Sequence, residues 1–424
     1  MDKIKVTGGV PLYGNIPVSG AKNAALKLMC AALLSDRSIY FENAPNALRD
    51  IQSQTDLMQF LGCAIKREGS LMAINASNVE NTVAPYDLVR KMRTSILVLG
   101  PLLARFGHAK VSLPGGCAIG TRPVDLHIKG LEEMGATITL EEGYINAQAP
   151  AEGLQGAKIL FPKVSVGATE NLMMAATLAK GETVLANAAR EPEIIDLGEC
   201  LIKMGAKISG LGTETIRIEG VSSPLGKAHH EILPDRIEAG TYIIAAGMTG
   251  GTVRLENARI EHLSAALGHL SQAGIEVEQD GRDIIVHRDP SRRIKGCDIM
   301  TEPYPGFPTD LQAQFMSMLT IAQGAGLVTE TIFENRFMHV PELCRMGADI
   351  TVQGNSAIVR GVEKLKGAEV MATDLRASVA LVLAGLVAEG DTIVNRIYHL
   401  ERGYENIVGK LSNAGAQIER IGGE

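Results

Sequence analysis

A helix end, a glycine and an apolar strand follow one another at six points along the chain, as in Met134-Gly135-Ala136-Thr137-Ile138. Glycine at such a point is typical of a helix C-cap, because the chain leaves the last helical turn in a left-handed conformation. The six glycines are nearly evenly spaced and are Gly62, Gly135, Gly205, Gly274, Gly347 and Gly415. This regular spacing predicts six copies of one structural unit.

Each predicted unit also contains an apolar helix, a short strand and a turn rich in asparagine. The helices at residues 26–34 and 379–387 are apolar almost all round, which is typical of helices buried inside a domain. We expect the strand and its asparagine turn at residues 39–44, 183–188, 252–258, 332–336 and 392–396. In the second unit the matching place is a loop, residues 113–123, with three glycines and two prolines. Departures from a local pattern are where function is most often found.

The repeat predicts an α/β fold in which each unit has the order strand, helix, strand, helix, strand, strand. A chain of 424 residues favours two large domains, so we expect three units in each. The N-terminus begins with the latter half of a unit and the C-terminus ends with the former half, and we therefore expect the two ends to pair. The predicted domains are residues 22–231, an N-terminal domain that carries the 113–123 loop, and residues 1–21 with 232–424, a C-terminal domain.

Composition narrows the classes of function. The net charge of −7 argues against nucleic acid as a partner, because phosphate backbones are bound by basic surfaces. No apolar run is long enough to span a bilayer and no secretory signal is visible, so we expect a cytoplasmic protein without a membrane partner. We find neither a glycine-rich nucleotide-binding motif nor a metal-ligand spacing, and we expect no cofactor and no metal. Five histidines are expected to be structural: His127, His229, His230, His262 and His339.

One of the six cysteines stands apart. Cys117 lies in the 113–123 loop with Arg122 five residues further on, and a nearby guanidinium lowers the pKa of a thiol and makes it reactive. The alternative is a plain surface turn that happens to hold a thiol. The other five lie in apolar segments, and we expect them in the core: Cys30, Cys63, Cys200, Cys297 and Cys344.

The predicted helix starts carry charge. Helix N-termini present unpaired N–H groups and partial positive charge, so a cation there is unfavourable by a few tenths to about 1 kcal/mol. Lys22, Arg93 and Arg376 occupy such positions, which favours a bound anion that offsets the repulsion. Thr309-Asp310 and Thr373-Asp374 fit two interpretations, an ordinary N-cap or part of a site.

Together these residues resemble the enolpyruvyl transferase family along essentially the whole chain. The motifs that carry the resemblance are Gly20-Ala21-Lys22-Asn23-Ala24, Arg90-Lys91-Met92-Arg93, residues 113–125, residues 163–169, Pro308-Thr309-Asp310, Glu334-Asn335-Arg336-Phe337 and Thr373-Asp374-Leu375-Arg376. The resemblance implies two inside-out α/β barrel domains of three β-α-β-α-β-β units each, joined by a double crossover. Some members of the family carry aspartate where this chain has Cys117.

The motifs are similar to those of the family's enzymes that use UDP-N-acetylglucosamine. For these, the resemblance implies that the 3′-hydroxyl of the sugar adds to C2 of phosphoenolpyruvate and that phosphate is then eliminated. This reaction is the first committed step of peptidoglycan precursor synthesis. Cys117 matches the proton donor to C3, which can form a covalent phospholactoyl adduct and is alkylated by fosfomycin. Asp310 matches the general base at the sugar hydroxyl.

The resemblance also implies the binding residues. Those around phosphoenolpyruvate are Lys22, Asn23, Arg122, Arg336, Asp374, Arg376 and Arg402, and Lys22 and Arg402 are counted as catalytic as well. Those around the UDP-sugar are Arg93, Arg122, Pro123, Val124, Asp125, Leu126, Lys163, Val164, Ser165, Val166, Asp310 and Ile332. The two substrates are the expected partners of a protein that is expected to be a monomer.

Two alternatives remain open at this point. 5-Enolpyruvylshikimate-3-phosphate synthase shares the fold and the donor, but it lacks the cysteine loop and the stretch at residues 163–169. A non-catalytic repeat scaffold would keep the six units and lose the charges at the helix starts, which are intact here.

Overall fold

The computed structural model describes residues 2–113 and 124–422. Contacts within the chain divide it into two compact units. Residues 20–113 and 124–233 form the first, called here the central unit, and residues 2–19 and 234–422 form the second, the terminal unit. The chain therefore passes from one unit to the other after Ser19 and again after Leu233. The domain limits expected from sequence stay a prediction.

Short runs of alternating burial form 24 strands within the described residues. They are β1 (Lys3–Thr7), β2 (Leu12–Pro17), β3 (Ser38–Glu42), β4 (Ala64–Glu68), β5 (Leu71–Asn75), β6 (Val83–Ala84), β7 (His108–Ser112), β8 (Thr137–Glu141), β9 (Tyr144–Gln148), β10 (Lys158–Leu160), β11 (Glu182–Ala186), β12 (Lys207–Ser209), β13 (Thr215–Glu219), β14 (Ala228–Glu231), β15 (Gly251–Glu256), β16 (Glu276–Asp280), β17 (Asp283–Arg288), β18 (Ile299–Met300), β19 (Ala325–Thr329), β20 (Asp349–Gln353), β21 (Ser356–Arg360), β22 (Glu369–Met371), β23 (Asp391–Asn395) and β24 (Gln417–Ile421).

The α-helices of the described residues are α1 (Lys22–Ala31), α2 (Arg49–Phe60), α3 (Tyr86–Val89), α4 (Leu99–Phe106), α5 (Asp125–Glu133), α6 (Val166–Ala176), α7 (Pro192–Lys203), α8 (Arg236–Thr249), α9 (Ser264–Ala273), α10 (Gln312–Leu319), α11 (Val340–Arg345), α12 (Leu375–Val387) and α13 (Ile407–Asn413). Short 3₁₀ helices lie at Ala32–Leu34, Arg93–Val98, Ile260–Leu263, Thr309–Leu311 and Ile397–Arg402.

The strands form six four-stranded sheets of one topology. In the sheet with the order β10-β11-β13-β12, β10 pairs parallel to β11, whereas β13 pairs antiparallel to both β11 and β12. A parallel pair needs a crossover connection, and α6 supplies it here, while α7 joins β11 to β12. The predicted order of strand, helix, strand, helix, strand, strand is confirmed.

The two ends of the chain lie in one sheet. Strand β1 lies between β23 and β24 and pairs antiparallel to both, with Val6 opposite Ile418. The predicted pairing of the ends is confirmed. Strands β2 and β14 each lie in one unit, although the helix that follows each of them in sequence lies in the other unit. Strand β2 precedes α1 but pairs with β15 of the terminal unit, and β14 precedes α8 but pairs with β3 of the central unit.

Left-handed residues mark two points of the repeat. The six predicted cap glycines all have positive φ, from 90° at Gly274 to 109° at Gly62. The second point is the residue after the second strand of each unit, called here the corner. In four units the corner has a φ of 55° to 58°, and these residues are Asn43, Asn187, Asn257 and Arg396.

The corners of the second and fifth units depart from this rule. Leu113 follows β7, and Glu330 follows β19. The strand and asparagine turn expected at residues 332–336 are wrong, because the strand of that unit ends at Thr329 and the later residues form a loop. The apolar pair Ile332-Phe333 has the sequence pattern of a strand, whereas the observed strand β19 contains a glycine and fits that pattern less well.

The helices of the first half of each repeat lie inside the units. Every residue of α12 from Arg376 to Leu386 is buried, which confirms the expectation from its continuous apolar sequence. In the terminal unit α8, α10 and α12 pack against one another, and in the central unit α1 packs against α7 and α4 against α6. The sheets have one face toward these helices and one that is more exposed. No helix among the described residues has both the length and the hydropathy needed to cross a membrane.

Only three of the five cysteines expected in the core are buried. Cys30, Cys63 and Cys200 are buried, as predicted. Cys297 is only half-buried and Cys344 is exposed, so the core assignment of these two is wrong. Cys344 lies on the short helix α11, where the neighbouring Leu343 takes the buried position and leaves the thiol on the outer side.

Candidate active site

A cluster of ion pairs lies just before α10 in the terminal unit. Asp310, in the Thr309–Leu311 turn, gives one carboxylate oxygen to each of two arginines. Its Oδ1 accepts a hydrogen bond of 2.7 Å from Nη2 of Arg336, and its Oδ2 accepts one of 2.8 Å from Nη2 of Arg376. Each arginine side chain is 5% exposed, whereas that of Asp310 is 26% exposed. The two arginines thus hold a carboxylate that solvent still reaches.

Buried hydroxyl and amide groups fix Arg376. Its Nη1 donates to the Tyr404 hydroxyl at 3.1 Å, and Nε2 of Gln314 donates to the same hydroxyl at 3.2 Å. The Tyr404 hydroxyl also lies 2.9 Å from Oγ1 of Thr241. Gln314 further donates to the backbone carbonyl of Asp310 at 2.8 Å. This network therefore positions the guanidinium and the Asp310 backbone together.

The charges around Asp310 set its protonation. Burial raises the pKa of Asp310, but the charges of Arg376 and Arg336 and their hydrogen bonds outweigh burial and hold that pKa well below its usual range. The carboxylate is therefore ionised at neutral pH. Because its folded pKa is depressed, its ion pairs stabilise the fold above a pH of about 3.9 and are lost as the pH falls through the lower, folded value.

Asp374 lies in the same Thr-Asp-Leu context with different partners. Its Oδ1 accepts hydrogen bonds of 2.8 and 3.0 Å from the backbone N–H groups of Arg376 and Ala377, and so it caps α12. Asp310 makes no such cap to α10 or to the turn before it. The N-cap interpretation therefore holds for Asp374 and fails for Asp310, while the part that either residue has in a site stays a prediction.

Arg336 lies in a turn and is nevertheless buried. Besides Asp310, it donates from Nη1 to Oγ1 of Thr309 at 2.7 Å. Its guanidinium lies 5.1 Å from the centre of the Phe333 ring. The predicted Ile332 is half-buried in the same loop, where its N–H donates to Oε1 of Glu330 at 2.8 Å. Thr309 also donates to Glu330, so the loop after β19 joins Arg336 and Ile332 in one hydrogen-bonded group.

Arg402 closes the Ile397–Arg402 helix and is half-buried. Burial lowers the pKa of His399, the charge of Arg402 lowers it further, and the charge of Asp374 raises it. Both charges therefore act on one ring, and Arg402 belongs to the same part of the terminal unit as Asp374.

The central unit places Lys22 in a buried ion pair. Lys22 is the first residue of α1, and its Nζ lies 3.0 Å from Oδ2 of Asp50 on α2, with 10% and 5% of the two side chains exposed. Asp50 supplies the negative charge at Lys22, as Asp310 does at Arg376. Each of these two cations therefore pairs with a carboxylate of the chain itself, and the binding of an anion beside them stays a prediction.

The remaining predicted residues of this unit lie near helix starts. Asn23, Arg93, Val124, Val164, Ser165 and Val166 are half-buried, Leu126 is buried, and Asp125 and Lys163 are exposed. Arg93 begins the Arg93–Val98 helix, which packs against α1 and α6, and α6 packs against α5. Ser165 caps α6 by accepting a hydrogen bond of 3.3 Å from the N–H of Ala168. The packing thus joins the elements that carry these residues.

Three predicted residues, Cys117, Arg122 and Pro123, lie outside the described residues, and their roles stay predictions. Within residues 2–113 and 124–422 no group of three histidine, cysteine, aspartate or glutamate side chains is placed to hold a metal ion.

Sequence reasoning missed several residues of these clusters. Asp50, Tyr404 and Glu330 each contact a predicted residue or its loop. His339, expected to be structural, is 1% exposed, and its pKa is lowered to about 4, chiefly by burial, with the charge of Asp374 raising it and that of Arg336 lowering it. The sequence carried no signal for Glu330, because the repeat pattern placed the asparagine turn of that unit at residues 332–336.

Six sheets of one topology around buried helices are the fold that solved enolpyruvyl transferases share with this chain. The structure matches the enolpyruvyl transferase NikO from Streptomyces tendae with a TM-score of 0.89 at 23% identity, covering 99% of this chain and 98% of that one. It matches the EPSP synthase of Acinetobacter baumannii with a TM-score of 0.75 at 17% identity, covering 100% of both. The predicted fold class is confirmed, and the described strands form six separate sheets.

The chain belongs to the EPSP synthase (3-phosphoshikimate 1-carboxyvinyltransferase) family, whose model matches residues 6–411. It is similar to proteins named UDP-N-acetylglucosamine 1-carboxyvinyltransferase along its whole length. The relative from Rhodospirillum centenum is 59% identical over 99% of both chains, and that from Granulibacter bethesdensis is 60% identical over 100% of both. The relative from Acidiphilium cryptum is 60% identical over 99% of this chain and 100% of its own.

Proposed function

We propose that this protein transfers the enolpyruvyl group of phosphoenolpyruvate to the 3′-hydroxyl of UDP-N-acetylglucosamine and releases phosphate, the first committed step of peptidoglycan precursor synthesis. The observation that carries the proposal is the name shared by its full-length relatives. The intact charges at Lys22, Arg336, Arg376 and Arg402 support it, because both substrates are anions. The cytoplasmic location and the monomeric state stay predictions.

In the proposed reaction Asp310 accepts the proton of the sugar hydroxyl as its oxygen bonds to C2 of phosphoenolpyruvate. Cys117 delivers a proton to C3, and loss of a C3 proton with departure of phosphate then gives the enolpyruvyl ether. Asp310 is 26% exposed and ionised, so it has both the access and the charge state of a base.

The arginines that pair with Asp310 weaken it as a base, because they stabilise its ionised form. Phosphoenolpyruvate carries a phosphate and a carboxylate, which compete for guanidinium donors. We therefore propose that Arg336 and Arg376 share their charge with this substrate and that the pKa of Asp310 then rises toward the range in which it accepts a proton.

The proposed contacts of the central unit are Lys22 and Asn23 with phosphoenolpyruvate, and Arg93, Val124, Asp125, Leu126, Lys163, Val164, Ser165 and Val166 with the UDP-sugar. Ile332 and Asp310 of the terminal unit are further proposed contacts of the UDP-sugar. Arg122 and Pro123 are proposed from sequence alone.

Phosphate release from phosphoenolpyruvate tests the proposal. We expect release with UDP-N-acetylglucosamine, together with a product whose mass equals that of the sugar nucleotide plus an enolpyruvyl group. Release only with shikimate 3-phosphate would favour the activity in the family name, and release with neither acceptor would favour a non-catalytic scaffold. The mass of the peptide that contains Cys117, after incubation with phosphoenolpyruvate with and without fosfomycin, would show whether Cys117 carries the adduct.

A further inference from the structure

We infer that Glu330 is a positioning residue that ties the loop carrying Ile332 to the Arg336–Asp310 pair. The inference rests on the proposed function, since Ile332, Arg336 and Asp310 are groups that it assigns to substrate. Glu330 is the corner residue of the fifth unit and is 2% exposed. Its carboxylate accepts hydrogen bonds from four donors.

The two oxygens of Glu330 hold different parts of the structure. Oε1 accepts from Oγ1 of Thr301 at 2.9 Å and from the N–H groups of Ile332 and Phe333 at 2.8 and 3.1 Å. Oε2 accepts from Oγ1 of Thr309 at 2.9 Å. One oxygen therefore fixes the start of the loop, and the other reaches the turn that contains Asp310.

The bond to Thr309 determines how Arg336 is held. A threonine hydroxyl has one proton, and donating it to Glu330 leaves only lone pairs on the oxygen. Arg336 uses one of these, since its Nη1 donates to Thr309 at 2.7 Å while its Nη2 donates to Asp310 at 2.7 Å. The carboxylate of Glu330 thus orients the hydroxyl as an acceptor for the guanidinium.

A second connection reaches Arg336 through Phe333. Phe333, whose N–H is held by Glu330, has its ring 5.1 Å from the guanidinium carbon of Arg336. A cation over an aromatic face is attracted to the ring, so the position of the ring affects that of the guanidinium. Glu330 therefore acts on Arg336 through both Thr309 and Phe333.

Comparison with ordinary corners indicates that the fold itself does not need this charge. In the third unit the amide of Asn187 donates to the carbonyl of Phe161 at 2.9 Å, and in the first unit Asn43 donates to that of Ile232 at 2.9 Å. Thr301 is the residue of the fifth unit that corresponds to Phe161 and Ile232. In each case the backbone N–H donates to the carbonyl of the last residue of the unit's second strand. A neutral asparagine closes those corners, whereas a buried carboxylate is costly unless fully hydrogen-bonded.

Four variants separate positioning from mere support of the fold. Thr309→Val removes the link to Arg336, and Thr309→Ser keeps the hydroxyl. Glu330→Gln keeps the shape and removes the charge. Thr301→Val is the matched control, because it removes a buried hydroxyl that bonds the same carboxylate and the N–H of Thr331, and it leaves the Thr309 link to Arg336 in place.

We expect Thr309→Val and Glu330→Gln each to lower kcat/KM about 10- to 100-fold, the size expected for loss of a hydrogen bond to a charged group. Thr309→Ser should stay within a few-fold of wild type, and Thr301→Val should do so too even though its melting temperature falls. The kcat/KM of the double variant Glu330→Gln/Thr309→Val should fall no further than that of the less active single variant, because both changes break one chain of bonds. Equal losses in Thr309→Val and Thr301→Val, or additive losses in the double variant, would overturn the inference.

Labelling by phenylglyoxal, an arginine-directed reagent, gives a second readout that needs no activity. We expect faster modification of Arg336 in Thr309→Val and Glu330→Gln than in wild type or Thr301→Val, measured by peptide mass spectrometry. A wild-type protein inactive toward both substrates would refute the proposed function, and the labelling would still judge the inference. Unchanged labelling of Arg336 in all variants would count against it.

Discussion

Asp310 and Asp374 have the same sequence neighbours and different partners. Each follows a threonine and precedes a leucine at the start of a buried helix of the terminal unit. Asp374 binds two backbone N–H groups, a role that asparagine or serine fills as well. Asp310 gives both oxygens to guanidinium groups, which the helix does not require. The motif therefore marks a place in the fold, and the residues that meet it there decide between a cap and a candidate base.

The largest effect that follows from this contrast is at Asp310. Asp310→Asn should lower kcat by about 10²- to 10⁴-fold, because an amide cannot take the hydroxyl proton. Asp235→Asn is the control for loss of a carboxylate charge that acts on Arg376, since Asp235 caps α8 in the same unit through the N–H groups of Ile237 and Glu238, and asparagine caps equally well. Steady-state phosphate release measures both variants. Similar kcat values for the two would leave Asp310 as an ion-pair partner only.

Arg376 joins the two aspartates, since its N–H binds Asp374 and its Nη2 binds Asp310. Arg376→Lys keeps the N–H and loses the planar fork that also reaches Tyr404. We expect kcat/KM to fall about 10- to 100-fold in this variant, by loss of charge-assisted hydrogen bonds. In an Asp310→Asn background the same change should add little, and a double-mutant cycle on kcat/KM measures this coupling. Full additivity would mean that the two residues act separately.

The smallest effect concerns the cap. Asp374→Ala should lower the free energy of unfolding by about 1 kcal/mol, whereas Asp374→Asn should change it by only a few tenths, because asparagine keeps the acceptor. Urea unfolding of the two variants gives the comparison. If asparagine costs as much as alanine, the charge of Asp374 acts beyond its cap, for instance on the nearby His399 and His339.

The fold was predictable from the sequence because its signals are local and repeated. A cap glycine needs a left-handed backbone, and this need recurs at Gly62, Gly135 and four later positions. The pairing of the two ends followed from the same repeat, since each end held half a unit. The second strand of the fifth unit was misplaced, because Ile332-Phe333 matches the apolar pattern of the repeat better than the glycine-containing β19 does.

The candidate site was less predictable, because its contacts join residues far apart in sequence. The sequence shows charge at Lys22 and Arg376, but not that Asp50 and Asp310 offset it. Arg336 lies in a turn, where exposure is the usual state, and its burial depends on Thr309 and Phe333. Which residues meet is a property of tertiary packing, which no local pattern records.

The pairing of β1 with β23 and β24 also sets an order on synthesis. All strands of the central unit lie between residues 20 and 233, so this unit holds every strand it needs before the second half of the chain is made. Strand β1 is made before all of them and waits for partners made last. At ~5–20 residues per second that wait is on the order of tens of seconds, and one apolar face of the strand has no neighbour during this time. The nascent chain must therefore keep its first strand out of wrong pairings until its last strand arrives.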